Sequence, residues 1–324
     1  ADYFAKYVLK YVLVRDPCIP DDMVLIPGGT FRMGDNLGDT DWYDETPVHT
    51  VTVDSFYMGS CEVTNGQYCD YLNSALGQGL ITITSGVVYK PGSGTTYPYC
   101  NTSAGSSDSQ IAYSGSVFSV RTKNGRDMSN DPMVDVSWYG AVAYCNWRSE
   151  QEGYEECYSL STWDCNFSKH AYRLATEAEW EYAARGGLSG RRFPWGDTIS
   201  HSQANYSSGS RSWDVSPTSG YHPDWDDVYP YTSPGGTFAA NGYGLYDMTG
   251  NVYEWCYDRY NPYYYEYSPT NNPTGPDGYH PYWERYHVLR GSSWAGGCRV
   301  AMRTPVTLDR RDSKYGFRLV LDFQ

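Results

Sequence analysis

Apolar and β-branched positions crowd residues 23–33 and again residues 48–58, a pattern that predicts two strands near the start of the chain. Helical spacing appears at three places, each with its own start signal. Thr64 is followed three residues on by Gln67, and Thr176 by Glu179, the hydroxyl-then-Gln/Glu form of a capping box. Ser137 predicts the cap of a third helix, whose apolar face would use Trp138, Ala141, Val142 and Cys145. Between these elements, residues 76–130 and 186–240 are rich in Gly, Ser and Thr with little periodicity, and predict long irregular excursions. Residues 1–21 mix charged and apolar positions (KYVLKYVLVR at 6–15, then Pro17 and Pro20) and are set apart as an N-terminal appendage to a single domain at 22–324.

Composition sharpens this. The 34 tyrosines and 11 tryptophans against 9 phenylalanines suit a loop-rich fold with a tyrosine-bearing polar surface, which is also a good binding surface. A net charge of -14 excludes nucleic acid as a partner, because phosphate contacts need clustered Lys and Arg, and it favours cation sites. The nine cysteines include no Cys-x-x-Cys pair, which disfavours zinc. They fit either an exported, partly disulfide-bonded protein or an intracellular one with buried thiols. No apolar run approaches the roughly 20 residues that span a bilayer, and no signal-peptide pattern is present.

One cluster predicts a metal site. If residues 250–254 are extended, positions 250, 252 and 254 face one way. Asp247, Gly250, Val252 and Glu254 then offer two carboxylates and backbone carbonyls, the hard oxygen donors that calcium prefers. The six histidines form no local pair at metal-binding spacing. Cys298, preceded by Gly296 and Gly297 and followed by Arg299, is read either as a mildly activated thiol or as a core or disulfide cysteine, with Cys256 as the partner.

The last third of the chain carries NGYGLYDMTGNVYEW at 241–255, VLRGSSW at 288–294, CRVAMR at 298–303 and GFRLV at 316–320. Upstream stand MVLIPGGTFRMG at 23–34, EVTN at 62–65, PMVDVSW at 132–138 and YRLATEAEWEYAA at 172–184. Together these resemble the formylglycine-generating enzyme, or sulfatase-modifying factor, family. The resemblance implies an α+β, C-type-lectin-like fold, low in regular secondary structure. It also makes the Asp247 cluster similar to a structural calcium site, with Asp247 replacing an Asn, and implies a second calcium site at Asn205, Tyr206, Asp227 and Tyr229. In the oxygen-using enzymes of the family, two cysteines five residues apart follow the Gly-Gly-Ser-aromatic strand and carry copper. Here that loop reads Ala295, Gly296, Gly297, so no copper is expected, and Ser293, which matches the family's active-site serine, stands without its cysteines. The iron-dependent sulfoxide synthases that share the domain are disfavoured by the missing histidine cluster.

Within the family, the tail at about 291–320 resembles the variable region of diversity-generating retroelement proteins, in which mutagenesis is confined to Asn codons near the end. No Asn follows Asn272. On that resemblance Ala295, Gly296, Met302, Thr304, Val306, Leu308, Asp309, Arg311, Asp312, Ser313 and Tyr315 are exposed ligand-contact positions on a static scaffold. The expectation is a non-catalytic, receptor-like protein outside the cytoplasm, on a bacterial cell surface, binding a protein or cell-surface ligand. The alternatives are a sulfatase-modifying-type oxidoreductase or accessory factor using other residues, and a carbohydrate-binding lectin.

Overall fold

Each of the two strand signals near the start is split in two. β1 (Met23–Ile26) and β2 (Gly29–Met33) part at Pro27 and Gly28, and β3 (His49–Val53) and β4 (Phe56–Gly59) part at Asp54 and Ser55. Proline cannot donate to a ladder, and a Cβ on Gly28 would lie 2.9 Å from the Ser55 nitrogen, so the chain crosses itself where only glycine fits. The halves go to different sheets: β1 pairs with β4 and β2 with β3, both antiparallel. This computed structural model describes residues 20–39, 43–277 and 282–322, so the expected appendage lies almost wholly outside the described residues.

The three helix signals hold. α1 (Asn65–Gly77) is capped by Thr64, whose hydroxyl accepts from Gln67 N at 3.2 Å while Gln67 Oε1 accepts from Thr64 N at 2.9 Å. α2 (Trp138–Gln151) starts at Ser137, which accepts from Gly140 N at 3.1 Å, and buries the expected Trp138, Ala141, Val142 and Cys145. α3 (Glu177–Ala184) has the Thr176 and Glu179 box at 3.2 and 2.8 Å.

The stretch at 76–130 is more regular than expected. It folds as β5 (Thr82–Thr84), β6 (Val87–Tyr89) and β7 (Pro98–Asn101) in one sheet, then the hairpins β8 (Ile111–Ser114) with β9 (Val117–Val120) and β10 (Thr122–Lys123) with β11 (Arg126–Asp127). Gly115 and Ser116 both have positive φ, 59° and 65°, as a two-residue hairpin turn requires. Composition hid strands only two to four residues long. Residues 186–240, by contrast, carry only isolated bridges.

The remaining strands are β12 (Tyr172–Leu174), β13 (Tyr253–Arg259), β14 (Tyr286–Arg290), β15 (Thr304–Thr307), β16 (Tyr315–Gly316) and β17 (Leu319–Asp322). Two four-stranded sheets result, in the orders β1-β4-β17-β12 and β15-β14-β13-β16. The chain passes from the second sheet to the first between Gly316 and Leu319. A Cβ on Gly316 would sit 2.7 Å from Met133 O, so the crossing also needs glycine. Phe317, Leu319 and Leu321 enter the main core beside Tyr68, Tyr71 and Tyr144, which contact one another at ring separations of 5.1 to 5.6 Å. Twelve of the tyrosines are buried, while the other described ones are half-buried or exposed. A buried ring keeps its hydroxyl satisfied, as Tyr68 does on Gly140 O.

Candidate functional site

β14 and β15 are joined by residues 291–303, and this connection is pinned from below by buried arginines. Arg290, fully buried, donates to the carbonyls of Val300, Ala301 and Met302 at 2.9 Å each and to Glu181. Arg303 grips Glu177 with two bonds of 2.6 and 2.9 Å and reaches Asp44 O at 2.8 Å. Arg299 holds both oxygens of Glu45, at 2.7 and 2.8 Å. Bidentate guanidinium–carboxylate pairs fix geometry as well as charge, and here they hold the backbone of the connection from its buried side.

A second set of pins holds the rest. Trp294 N donates to Asn251 O at 2.8 Å and Trp294 Nε1 to Ser313 O at 3.2 Å. The indole is walled by Tyr221, Tyr229 and Tyr231, with ring centroids 5.1 to 5.7 Å away. Asp135 N donates to Asp312 O at 3.0 Å, and Arg311 Nε to Asn101 Oδ1 at 2.8 Å. Between the pins, Ala295 and Asp309 are exposed, and Gly296, Met302, Thr304, Leu308, Arg311, Asp312 and Tyr315 are half-buried. Two of the expected contact positions point inward instead. Val306 packs in the main core as the inward residue of β15, and the hydroxyl of buried Ser313 lies 3.0 Å from that of Tyr229.

Cys298 is not an activated thiol. Its Sγ donates to Gly296 O at 3.2 Å, and burial pushes the thiol far above its ordinary range. It also has no disulfide: the eight described cysteines are all free, and Cys298 and Cys256 lie in different apolar clusters. Ser293 sits in a turn rather than a strand, accepting from Ala295 N at 3.3 Å. Without a second cysteine beside it, this loop does not fit the family's copper.

The calcium donors are arranged differently from the expectation. Gly250 and Asn251 have φ of 86° and 57°, so 250–252 is not extended and the alternation fails. Both oxygens of Glu254 are taken by Arg318 at 2.6 Å each, and Trp180 Nε1 adds a bond at 2.7 Å. A further carboxylate, Glu62, which the sequence pattern does not single out, lies near Asp247. It is buried, its Oε2 has no hydrogen-bond partner, and burial, with the charge of Asp247, raises its pKa. Burial likewise pushes Asp247 up to about 6. Three buried carboxylates, Glu62, Asp247 and Glu254, thus share one guanidinium, Arg318, and Asp247 also accepts from Gly236 N at 2.8 Å. Among the described residues no three His, Cys, Asp or Glu side chains converge on one ion. A pairing of Glu62 with Asp247, 185 residues apart in sequence, leaves no local signal.

The second set does not assemble. Tyr229 O accepts from Lys123 Nζ at 3.1 Å, Tyr206 O faces His201 Nε2 at 3.2 Å, and Asp227 is exposed; Asn205 meets Tyr231 O instead, at 2.7 Å. The histidines do form a spatial pair that spacing missed, His201 and His222, with ring centroids 5.0 Å apart.

Residues 12–323 match the family described as the sulfatase-modifying factor enzyme 1-like domain. The chain is 32% identical over 321 residues to the formylglycine-generating enzyme of Streptomyces coelicolor, an alignment covering 92% of this chain and 88% of that relative. Among solved structures it is similar to Treponema denticola variable protein 1, with a TM-score of 0.60 at 24% identity over 93% of this chain and 95% of that one. It is also similar to PvdO from Pseudomonas aeruginosa, with a TM-score of 0.59 at 25% identity over 96% and 100% of the two chains. The first of these structural likenesses bears on the fold alone.

Proposed function

The chain belongs to the sulfatase-modifying factor enzyme 1-like family, and from that premise we propose that it is a non-catalytic binding protein that displays a diversified C-terminal surface. The observation that supports this reading most is the separation of roles along 290–318. Arginines and Trp294 hold the backbone, while Ala295 and Asp309 are exposed and Gly296, Met302, Thr304, Leu308 and Asp312 are half-exposed between them; Arg311, tied to Asn101, and Tyr315, packed on Trp255, present only part of their side chains. Such a surface can change residue by residue while its scaffold stays put, and a few anchors would dominate its affinity. The partner is a protein or cell-surface ligand met outside the cytoplasm. No helix among the described residues is long and apolar enough to cross a membrane.

Sequencing the locus across isolates is the direct test: substitutions confined to residues 295–315, beside a near-repeat differing at adenines, are expected. A uniform tail without a repeat would sink the reading. With a partner in hand, changing Ala295 to Arg, Thr304 to Lys and Tyr315 to Ala together should weaken binding at least about a hundredfold, the scale of a hot-spot loss of roughly 3 kcal/mol. The melting temperature should move by no more than a few degrees; retained binding would remove the face from the account.

The relatives at 32% identity carry the name of an enzyme, which keeps one other reading in play: an oxidoreductase working through other residues. Copper-dependent oxygen consumption on a cysteine-containing peptide would establish it.

Calcium in this reading ties loops and does no chemistry. Bound at Asp247 and Glu62, it would neutralise carboxylates that Arg318 alone does not balance. A site occupied at a hundred times its dissociation constant contributes about 2.7 kcal/mol, so adding a chelator should lower the melting temperature by several degrees, and Glu62→Gln should abolish that response. An unchanged melting curve removes calcium from the scaffold.

A further inference from the structure

Two clefts adjoin at the end of the β14–β15 ladder opposite the 291–303 connection. Their volumes are about 300 and 240 Å³, and they share Tyr139, Arg259, Glu284 and Leu308 as walls. The floor is aromatic. Tyr97, Tyr139 and Trp163 touch one another with ring centroids 4.6 to 5.0 Å apart, all three half-buried. The rims are charged, and unlike the arginines of the scaffold these charges are unspent. Arg259, Arg285, Asp164, Asp277, Glu284 and Asp309 form no side-chain hydrogen bond or ion pair among the described residues.

Two buried polar atoms lack partners here as well. His287 is 5% exposed, lines the second cleft and leaves Nδ1 unpartnered; Trp163 Nε1 is buried without an acceptor. Native structures rarely leave buried polar groups unsatisfied, and each such group asks for an explanation, among them a ligand that supplies the missing bond.

The chemistry of the walls selects the ligand. A small cation would meet Arg259 and Arg285. A small anion would meet four carboxylates. A peptide anchor wants an apolar pocket, whereas among the described lining residues only Leu308 and Pro276 are aliphatic. What remains is a neutral, polyhydroxylated ring. Its apolar face lies on an aromatic floor, and its hydroxyls both donate to carboxylates and accept from guanidiniums, as a concave site with a few convergent polar groups requires. We propose that this double cleft is a saccharide-binding site, accommodating one or two neutral sugar rings, with His287 and Trp163 as the buried hydrogen-bonding partners. The site does not rest on the diversified-surface reading, although Leu308 and Asp309 stand on its lip.

The test is an array of immobilised neutral hexose and N-acetylhexosamine oligosaccharides, followed by tryptophan fluorescence titration of the intact chain with the best binder. Saturable binding in the micromolar to millimolar range is expected. Arg285→Ala, at an exposed position, and Tyr139→Ala should each weaken it about tenfold, the equivalent of 1.4 kcal/mol, the former with an unchanged melting temperature. The Ala295, Thr304 and Tyr315 triple variant should leave it intact, which keeps a failure here distinct from a failure of the diversified surface. Absence of saturable binding to any sugar, binding indifferent to both cleft variants, or displacement of the sugar by peptides alone at the cleft would each overturn the proposal.

Discussion

Arg318→Met is expected to destabilise the protein by about 3–5 kcal/mol, the usual consequence of leaving one partner of a buried ion pair without the other. Arg318 and Glu254 are each about 1% exposed, and their two bonds of 2.6 Å join the segment before β17 to β13. The same guanidinium donates to Gly59 O and Tyr246 O at 3.0 Å each and to Ser60 O at 3.3 Å. A single side chain therefore ties the end of β4, the 241–255 run and both sheets. Methionine replaces the volume but none of the charge, and Glu254 would keep only the Trp180 indole as a donor. The double variant Arg318→Met with Glu254→Gln should recover part of the loss, because it removes the stranded charge. Urea unfolding of the three proteins decides the matter: a single variant within 1 kcal/mol of the parent, or a double variant no better than the single, would show that the pair does not act as the structure indicates.

That pair explains why some of the molecule can be read from its sequence and some cannot. The capping boxes at Thr64 and Thr176 span three residues, so spacing alone identifies them, and the structure has both. The strand signal of residues 23–33 was legible as β structure, but its division at Pro27 and Gly28 depends on the approach of Ser55 from a distant turn. Arg318 and Glu254 lie 64 residues apart and Arg303 and Glu177 126 apart, and nothing in local composition links them. Glu62, on the turn after β4, comes under the charge of Asp247 in the same way, across a separation that no local pattern spans. Of the expected contact positions in the tail, burial takes Val306 inward through the alternation of β15 and Ser313 through its contact with Tyr229.

His287 should make the protein acid-sensitive in a way that a single substitution removes. Its ring lies 4.6 Å from that of Trp138 and is 5% exposed; burial, reinforced by the charge of Arg259, pushes its pKa down to about 3 from 6.5. Between those two values the unfolded chain takes up a proton at this position and the folded chain does not, so stability must fall as pH falls through the window. Above pH 6.5 the full contribution is present. By pH 4 the loss from this group alone is on the order of 3 kcal/mol, at 1.36 kcal/mol per pH unit. Carboxylates titrate over the same range, so the comparison is made against His287→Phe, which keeps an aromatic ring beside Trp138 and cannot be protonated. The parent should lose more stability than the variant between pH 7 and pH 4, the gap opening below pH 6.5 and widening steadily. Parallel profiles would mean that His287 reaches solvent or a proton acceptor in the folded state, and its orphaned Nδ1 would then need no sugar hydroxyl to complete it.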